Sequence, residues 1–333
     1  MTDFFYNYGL FFAKVATAVI AILLAFGGLA AIAAQNKLKS KEKIKVTKLN
    51  EKYQEMKEAL NEETLEKDEL KKIKKQEKLD EKAKIKQDKK THKHPTRIFV
   101  LNFDGDIKAS AVENLREEIT AILTVATPRD EVLVKIESPG GMVHGYGLAA
   151  SQLKRIRDRG IPLIAAVDKV AASGGYMMAC VADRVLAAPF AIIGSIGVIA
   201  QLPNFNRLLK KHDIDFEQVT AGQYKRTLSL FGENTKEGRK KMQEEVDEAH
   251  TLFKDFVAIN RPTVDINSLA TGETWYGTRA KEMRLVDEII TSDDYLLAAS
   301  NKNNIFKIEY LIKKGLAEKF GISIQKAIAK LPF

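Results

Sequence analysis

The sequence predicts an α/β domain that follows an apolar N-terminal span and a charged helical stalk. Three observations carry that expectation. Composition breaks twice along the 333 residues, near positions 36 and 95. Residues 15–34 form a 20-residue run without a charge. From residue 96 onward, β-branched runs alternate with runs of helical period, the pattern of a largely parallel sheet covered by helices. The balance of 45% hydrophobic and 29% charged residues suits a folded chain long enough for one large core. The division is therefore 1–36, an anchor; 37–95, a stalk; and 96–333, the folded domain.

The anchor expectation rests on length. A helix over VATAVIAILLAFGGLAAIAA would span about 30 Å, the hydrocarbon thickness of a bilayer. Phe4, Phe5, Tyr6, Tyr8, Phe11 and Phe12 precede it and suit the headgroup zone. A cleaved signal peptide is the competing reading, since Ala31-Ile32-Ala33 fits a cleavage pattern. The apolar run is long for that, and no positive residue precedes Lys14. Lys37, Lys39, Lys41, Lys43, Lys45 and Lys48 follow closely, which by the positive-inside rule puts the C-terminal side in the cytoplasm.

The net charge of +9 belongs mostly to the stalk. Residues 37–93 hold 20 lysines against 13 acidic residues, a net +7. A basic stretch beside a span meets anionic headgroups, and nucleic acid is not an expected partner. The stretch lacks Gly, Pro and Cys and is rich in helix formers, but its leucines recur too loosely for a sustained heptad seam. A solvated, partly helical stalk is expected, with a short coiled coil between protomers as the alternative. His92 and His94 read as surface residues, because two histidines without further ligands make no metal site. The single cysteine, Cys180, excludes an intrachain disulfide and reads as core packing.

Within the domain, strands are expected at 97–103, 131–137, 161–168, 183–188, 196–201 and 216–220. Helices are expected at 111–125, 147–159, 205–212, 236–259 and 279–283. Gly160 should stop the second of these, whose basic end complements the helix dipole. The uncharged run 185–202 imitates a second span. Pro189, Gly194, Ser195 and Gly197 argue instead for two short buried strands joined by a turn.

Two glycine-bearing turns follow strands: Ser138-Pro139-Gly140-Gly141 and Ala171-Ala172-Ser173-Gly174-Gly175. Glycine there lets the backbone turn sharply and frees its amides toward a ligand. Residues 173–182 read as a helix that begins at or near Ser173. That places a hydroxyl beside unpaired amides, an oxyanion geometry. By local pattern alone Ser173 reads first as an N-cap, a common role for serine, and a lone Ser-Gly-Gly is a weak motif. A serine nucleophile needs a base. His144 is the only nearby histidine, without an orienting acid, and no Gly-x-Ser-x-Gly elbow exists. A lysine serves only if burial lowers its pKa. Lys225 is one of several lysines in position to do so.

The runs ESPGGMVHGYG, DKVAASGGYMMAC, IIGSIGVIAQLPN and VTAGQYKRTLSLFGENTKEGR resemble, in that order, the motifs of the signal peptide peptidase A family. The resemblance covers the anchor, the linker and the whole domain. It implies a ClpP/crotonase-like fold and a Ser–Lys dyad without cofactor or metal. It makes Ser173 the nucleophile, Lys225 the base and Ser195 the residue that assists the lysine. It draws the oxyanion donors from Gly174 and from the Gly140-Gly141 pair. A later segment, WYGTRAKEMRLVDEI, departs from the family only in having Arg284 where glycine is usual. The resemblance further implies a homo-oligomer whose dyad is completed between subunits, anchored by one N-terminal pass in a bacterial inner membrane. Its substrates would be signal peptides or membrane-derived or misfolded polypeptides. It favours the outer side of that membrane, where the flanking lysines favour the cytoplasm. A crotonase-type acyl-CoA enzyme and a non-catalytic membrane scaffold are the other functions such a fold allows.

Overall fold

A computed structural model describes residues 9–17, 19–20, 43–76, 79 and 96–311. The chain divides into two compact units, one of residues 1–43 with 310–333 and one of residues 44–309. Of the first, residues 9–17 are helical. Most of the expected anchor, and both His92 and His94, lie outside the described residues. Among the described residues no helix is long and apolar enough to cross a membrane.

The second unit is built on a seven-stranded sheet. Its strands are β1 (Lys43–Lys48), β2 (Arg97–Asp104), β3 (Glu131–Glu137), β4 (Leu163–Val167), β6 (Arg184–Ala187), β9 (Glu288–Ile289) and β10 (Asn304–Leu311), in the spatial order β1-β10-β2-β3-β4-β6-β9. From β10 to β9 every pairing is parallel. A smaller sheet sets β5 (Val170–Ala172) parallel to β7 (Ile192–Gly194), with β8 (Thr274–Tyr276) antiparallel beyond it.

The central strands are apolar along their whole length because both faces are covered; all five residues of β4 are buried. On one face pack α2 (Val112–Leu123), α3 (Val143–Arg157) and α4 (Gly174–Ala179), with Phe253 and Val257 of α6 (Lys236–Asn260). Helix α2 buries Leu115, Ile119 and Ile122 at helical spacing, each contributing roughly 1.5–3 kcal/mol of burial. On the other face Ile98, Val100, Leu133, Ile164 and Leu186 meet Leu296 of α9 (Ser292–Ser300), with Leu49 of α1 (Leu49–Thr64) against them.

Most expected elements form within a few residues of their expected ends. The run 185–202 holds β6 and β7, joined by a turn at Pro189, with the second strand at Ile192–Gly194 rather than at the expected 196–201. The Lys-rich stretch departs from expectation, because β1 comes from it and joins the sheet beside β10. Lysines suit such an edge, where charge discourages further pairing. Asn50, near the start of α1, fixes the join. Its Nδ2 donates to Ser300 O and Asn303 O (3.0 and 2.9 Å), and Ile305 N–H donates to its Oδ1 (2.8 Å).

The strands expected at 196–201 and 216–220 do not form. Their apolar residues find no sheet edge to pair with, and propensity without a neighbour is weak. Instead residues 195–235 run as a long connection, interrupted by α5 (Asn206–Lys211), with Ile199 74% and Val219 99% exposed. The remaining helices, α7 (Ile266–Leu269) and α8 (Gly277–Glu282), lie after α6.

Candidate active site

Strands β5 and β7 deliver two serines side by side. Ala172 is in register with Gly194, so Ser173 and Ser195 leave neighbouring parallel strands together. Ser173 N–H donates to Gly194 O at 2.8 Å. Both serines have positive φ, 51° and 53°, a conformation that costs a non-glycine residue on the order of 1–3 kcal/mol. Such strain survives only where the surroundings over-determine it, and it concentrates at functional sites. Ser173 occupies the N-cap position of α4, yet its side chain makes no capping hydrogen bond. The bland reading of this residue as a helix cap therefore loses its physical content.

The Ser138–Gly141 turn wraps this corner. Ser138 N–H donates to Val170 O (2.8 Å), and Ala172 N–H donates back to Ser138 O (3.0 Å). Gly140 sits at φ 94°, and a Cβ there would lie 2.7 Å from Ser173 Cβ and 2.9 Å from Gly174 N. Only glycine fits so close to the serine. Gly174 presses its Cα onto the Tyr146 ring, which a methyl group would overlap. As the first residue of α4, Gly174 has an N–H with no acceptor inside the helix.

The three glycine amides are not equivalent. Gly140 N–H already donates to Ser138 Oγ at 3.1 Å. No acceptor among the described residues takes Gly141 N–H. The free donors beside Ser173 are thus those of Gly174 and Gly141. A hydroxyl on a strained corner with two unpaired amides can attack a carbonyl and hold the oxyanion that results.

Lys225 lies elsewhere in character. It is exposed, in the long connection between β7 and α6, and its own N–H donates to Gly222 O at 3.2 Å. Its side chain makes no hydrogen bond or ion pair among the described residues. Beside it Tyr224 is 52% exposed, with Lys241 Nζ 5.5 Å from its ring. The structure brings Ser173, Ser195, Gly140 and Gly174 together and leaves Lys225 in solvent.

The histidines offer no better base. His144 is exposed in the first turn of α3 and pairs with no carboxylate among the described residues. His212 caps the end of α5, and His250 lies on α6 with Nε2 buried and unpartnered. Cys180 is fully buried, and burial pushes its thiol up to about 12, so it is no nucleophile at neutral pH. A cavity of about 180 Å³ opens where β2, β3 and β4 end, lined by Asn102, Asp104, Lys135, Glu137, Asp168 and Lys169 among others. None of Ser173, Ser195, Lys225 or the three glycines lines it, although Glu137, Asp168 and Lys169 open the two glycine-bearing motif runs.

The chain also has relatives. Residues 3–153 match the model of the Peptidase family S49 N-terminal region, and residues 155–305 match that of Peptidase family S49. A protein of Haemophilus influenzae named "Probable protease SohB" is 48% identical over 330 residues, covering 96% of this chain and 93% of that protein. A protein of the same name from Buchnera aphidicola subsp. Acyrthosiphon pisum is 57% identical over 228 residues, 68% of each chain. Among solved structures, a mutant of the 1510-N membrane-bound stomatin-specific protease covers 63% of this chain and 86% of its own, at 15% identity and a TM-score of 0.40. The two family matches run in sequence along nearly the whole chain, and the Haemophilus likeness spans both. The chain is a serine protease and belongs to peptidase family S49.

Proposed function

We propose that this protein is a membrane-anchored endopeptidase that cleaves peptide bonds through an acyl-enzyme on Ser173. Lys225 is the general base and Ser195 assists it. Gly174 N–H and Gly141 N–H hold the oxyanion, while Gly140 shapes the turn that brings them in. The observation that carries the reading is the Ser173 corner. A serine held at φ 51°, with its hydroxyl free of any capping bond, stands beside two unpaired amides. The assignment of Lys225 rests on the motif resemblance.

In the reaction, Ser173 Oγ adds to the scissile carbonyl as its proton passes to the lysine amine. The oxyanion takes hydrogen bonds from the two amides. Collapse expels the amine, which receives the proton from the lysine, and water then cleaves the acyl-enzyme by the same route. A solvated lysine stays charged and cannot take a proton, so Lys225 must be desolvated first. A neighbouring subunit supplies that burial. The exposed apolar side chains of the same connection (Ile199, Val219, Tyr224) are the surface it would cover. The anchor at 15–34 places the site near its substrates, peptides from membrane proteins, signal sequences or misfolded chains.

Ser173→Ala and Lys225→Ala should each lower peptide turnover by at least about 10³-fold, because the two groups act as one unit. A fluorophosphonate should label wild type on Ser173 and leave Ser173→Ala unlabelled. Near-normal proteolysis by either variant removes the dyad.

A further inference from the structure

Behind the Ser173 corner lies a buried polar chain that the motifs do not assign. Ser138 and Tyr146 are both fully buried. Their hydroxyls meet at 2.5 Å, and Tyr146 Oη also lies 2.8 Å from Asp106 O. A phenol has one hydrogen, and a carbonyl can only accept. The Tyr146 hydrogen therefore goes to Asp106 O, and Ser138 must give its own to Tyr146 Oη. Ser138 Oγ is then left as the acceptor for Gly140 N–H at 3.1 Å. The chain runs one way: Gly140 N–H to Ser138, Ser138 to Tyr146, Tyr146 to the Asp106 carbonyl.

This chain touches the catalytic corner at two points. At one end is Gly140, whose Cα crowds Ser173 Cβ. In its middle, the ring of Tyr146 is the floor on which Gly174 rests. Helix α3 sets that ring with its buried stripe, Tyr146, Ala149, Ala150 and Leu153. Burial also pushes the phenol above its ordinary value, so it remains a protonated donor at neutral pH.

Resting on the assignment of Ser173 as nucleophile, we infer that Tyr146 and Ser138 are positioning residues for the oxyanion site. Through one directed hydrogen-bond chain they hold Gly140 N–H away from the reacting carbonyl. The turn is thereby fixed so that Gly141 and Gly174 present their amides together. Neither hydroxyl touches substrate. A chain of buried hydrogen bonds is worth more than its separate links and rigidifies what it joins. An amide pair that must meet a developing oxyanion within a few tenths of an ångström needs that rigidity.

The test is a double-mutant cycle on the full-length enzyme with Tyr146→Phe, Ser138→Ala and the pair. Both changes are nearly isosteric. Tyr146→Phe should lower kcat roughly 10-fold and Ser138→Ala roughly 10²-fold, the latter approaching loss of an oxyanion donor. KM should stay within about twofold in each, as for an interaction made only in the transition state. Affinity for a peptidyl boronic acid, which forms a tetrahedral adduct on serine, should fall by the same factor as kcat/KM. The double variant should be no slower than Ser138→Ala alone, because cutting the chain twice breaks nothing more.

Wild-type kcat in both single variants, with Ser173→Ala inactive, overturns the positioning role and leaves the nucleophile standing. A loss that follows only the unfolded fraction in a thermal melt overturns it as well. Proteolysis surviving in Ser173→Ala overturns the nucleophile itself, and the inference with it.

Discussion

The two halves of the proposed dyad sit in unlike surroundings. Ser173 is held from every side: β5 behind it, Gly194 O on its N–H, Gly140 against its Cβ, and a fully buried α4 beyond it. Lys225 stands in a connection whose apolar side chains face solvent and whose backbone joins no sheet. The first region is over-determined by one chain, which is how it can keep two non-glycine residues at positive φ. The second carries apolar surface that a single chain does not cover. On the proposed function, such a site is half finished in the monomer, its nucleophile set by folding and its base by association.

Mixing two dead enzymes gives the largest effect and tests that contrast directly. Ser173→Ala and Lys225→Ala are each expected to be inactive. If each site takes its serine from one subunit and its lysine from the next, random co-assembly at equal amounts should restore about a quarter of wild-type turnover, since neighbouring subunits then meet through unlike patches. The measurement is peptide cleavage after the two variants are unfolded and refolded together, against each refolded alone. No recovery in mixed oligomers puts both groups in one chain, and the contrast between the regions becomes a matter of loop closure instead.

Gly140→Ala probes the rigid half. Its φ of 94° and the 2.7 Å approach to Ser173 Cβ leave no room for a methyl. The turn must shift, and a displacement near 1 Å at a catalytic corner costs roughly 10²-fold in rate. The expected result is a fall in kcat of that size with the oligomer intact on a sizing column. An active Gly140→Ala enzyme would show that the corner yields more than its contacts imply.

The sequence made the rigid half legible and the open half illegible for physical reasons. Strands β3 and β4 are β-branched and apolar runs, the first closed by Pro139-Gly140 and the second opened by Gly160 and Pro162, so their place and the turn after β3 follow from the sequence. Ser173 at the start of a helix follows from the Ser-Gly-Gly that ends β5. The unused cap was not legible, because whether the hydroxyl accepts from the N–H groups ahead of it depends on the local backbone angles. The chain from Gly140 to Tyr146 was not legible either, since it joins a turn, a helix and a loop through packing. Strands β5, β7, β8 and β9, of two or three residues, are too short to show a period. The expected strands at 196–201 and 216–220 were misread because their apolar residues were assigned to a core. Strand β1 was hidden by its lysines, which mark a solvated stalk and an edge strand alike.

Stability changes far from the site should separate scaffold from chemistry. Arg97 grips Asp130 with two hydrogen bonds of 2.9 and 2.7 Å where β2 and β3 begin, at the opposite end of the strands from the Ser138 turn. Burial alone would raise the carboxyl, but Arg97 and Thr127 outweigh it and hold Asp130 at about 2. A depressed carboxyl stabilises the fold above its unfolded value and loses that contribution as pH falls through its folded value. Asp130→Asn should therefore cost about 2 kcal/mol near neutral pH. The gap from wild type should close between about pH 4 and pH 2 in acid melts. Turnover of the folded fraction at pH 7 should not change. A drop in kcat would mean that the sheet transmits strain to Ser173.

Arg284 gives the smallest effect and explains the one departure from the family's motifs. It follows α8, with φ 63°. Its N–H donates to Lys281 O and Leu285 N–H to Ala280 O, both at 2.9 Å. That pair of bonds is the Schellman ending, whose left-handed residue is usually glycine. Arginine holds the same turn at a cost, because a Cβ disfavours this region by roughly 1–2 kcal/mol. Its exposed side chain makes no bond among the described residues that would offset the cost. Its carbonyl also accepts from Arg261 Nη2 at 2.9 Å, and glycine keeps both backbone bonds. Arg284→Gly should therefore stabilise the domain, by about 0.5–1 kcal/mol once the greater freedom of unfolded glycine is counted. The check is a melting temperature raised by a few degrees with unchanged kcat. A lowered one would mean that the arginine side chain takes part in the assembled enzyme, on the surface that the lone chain leaves open.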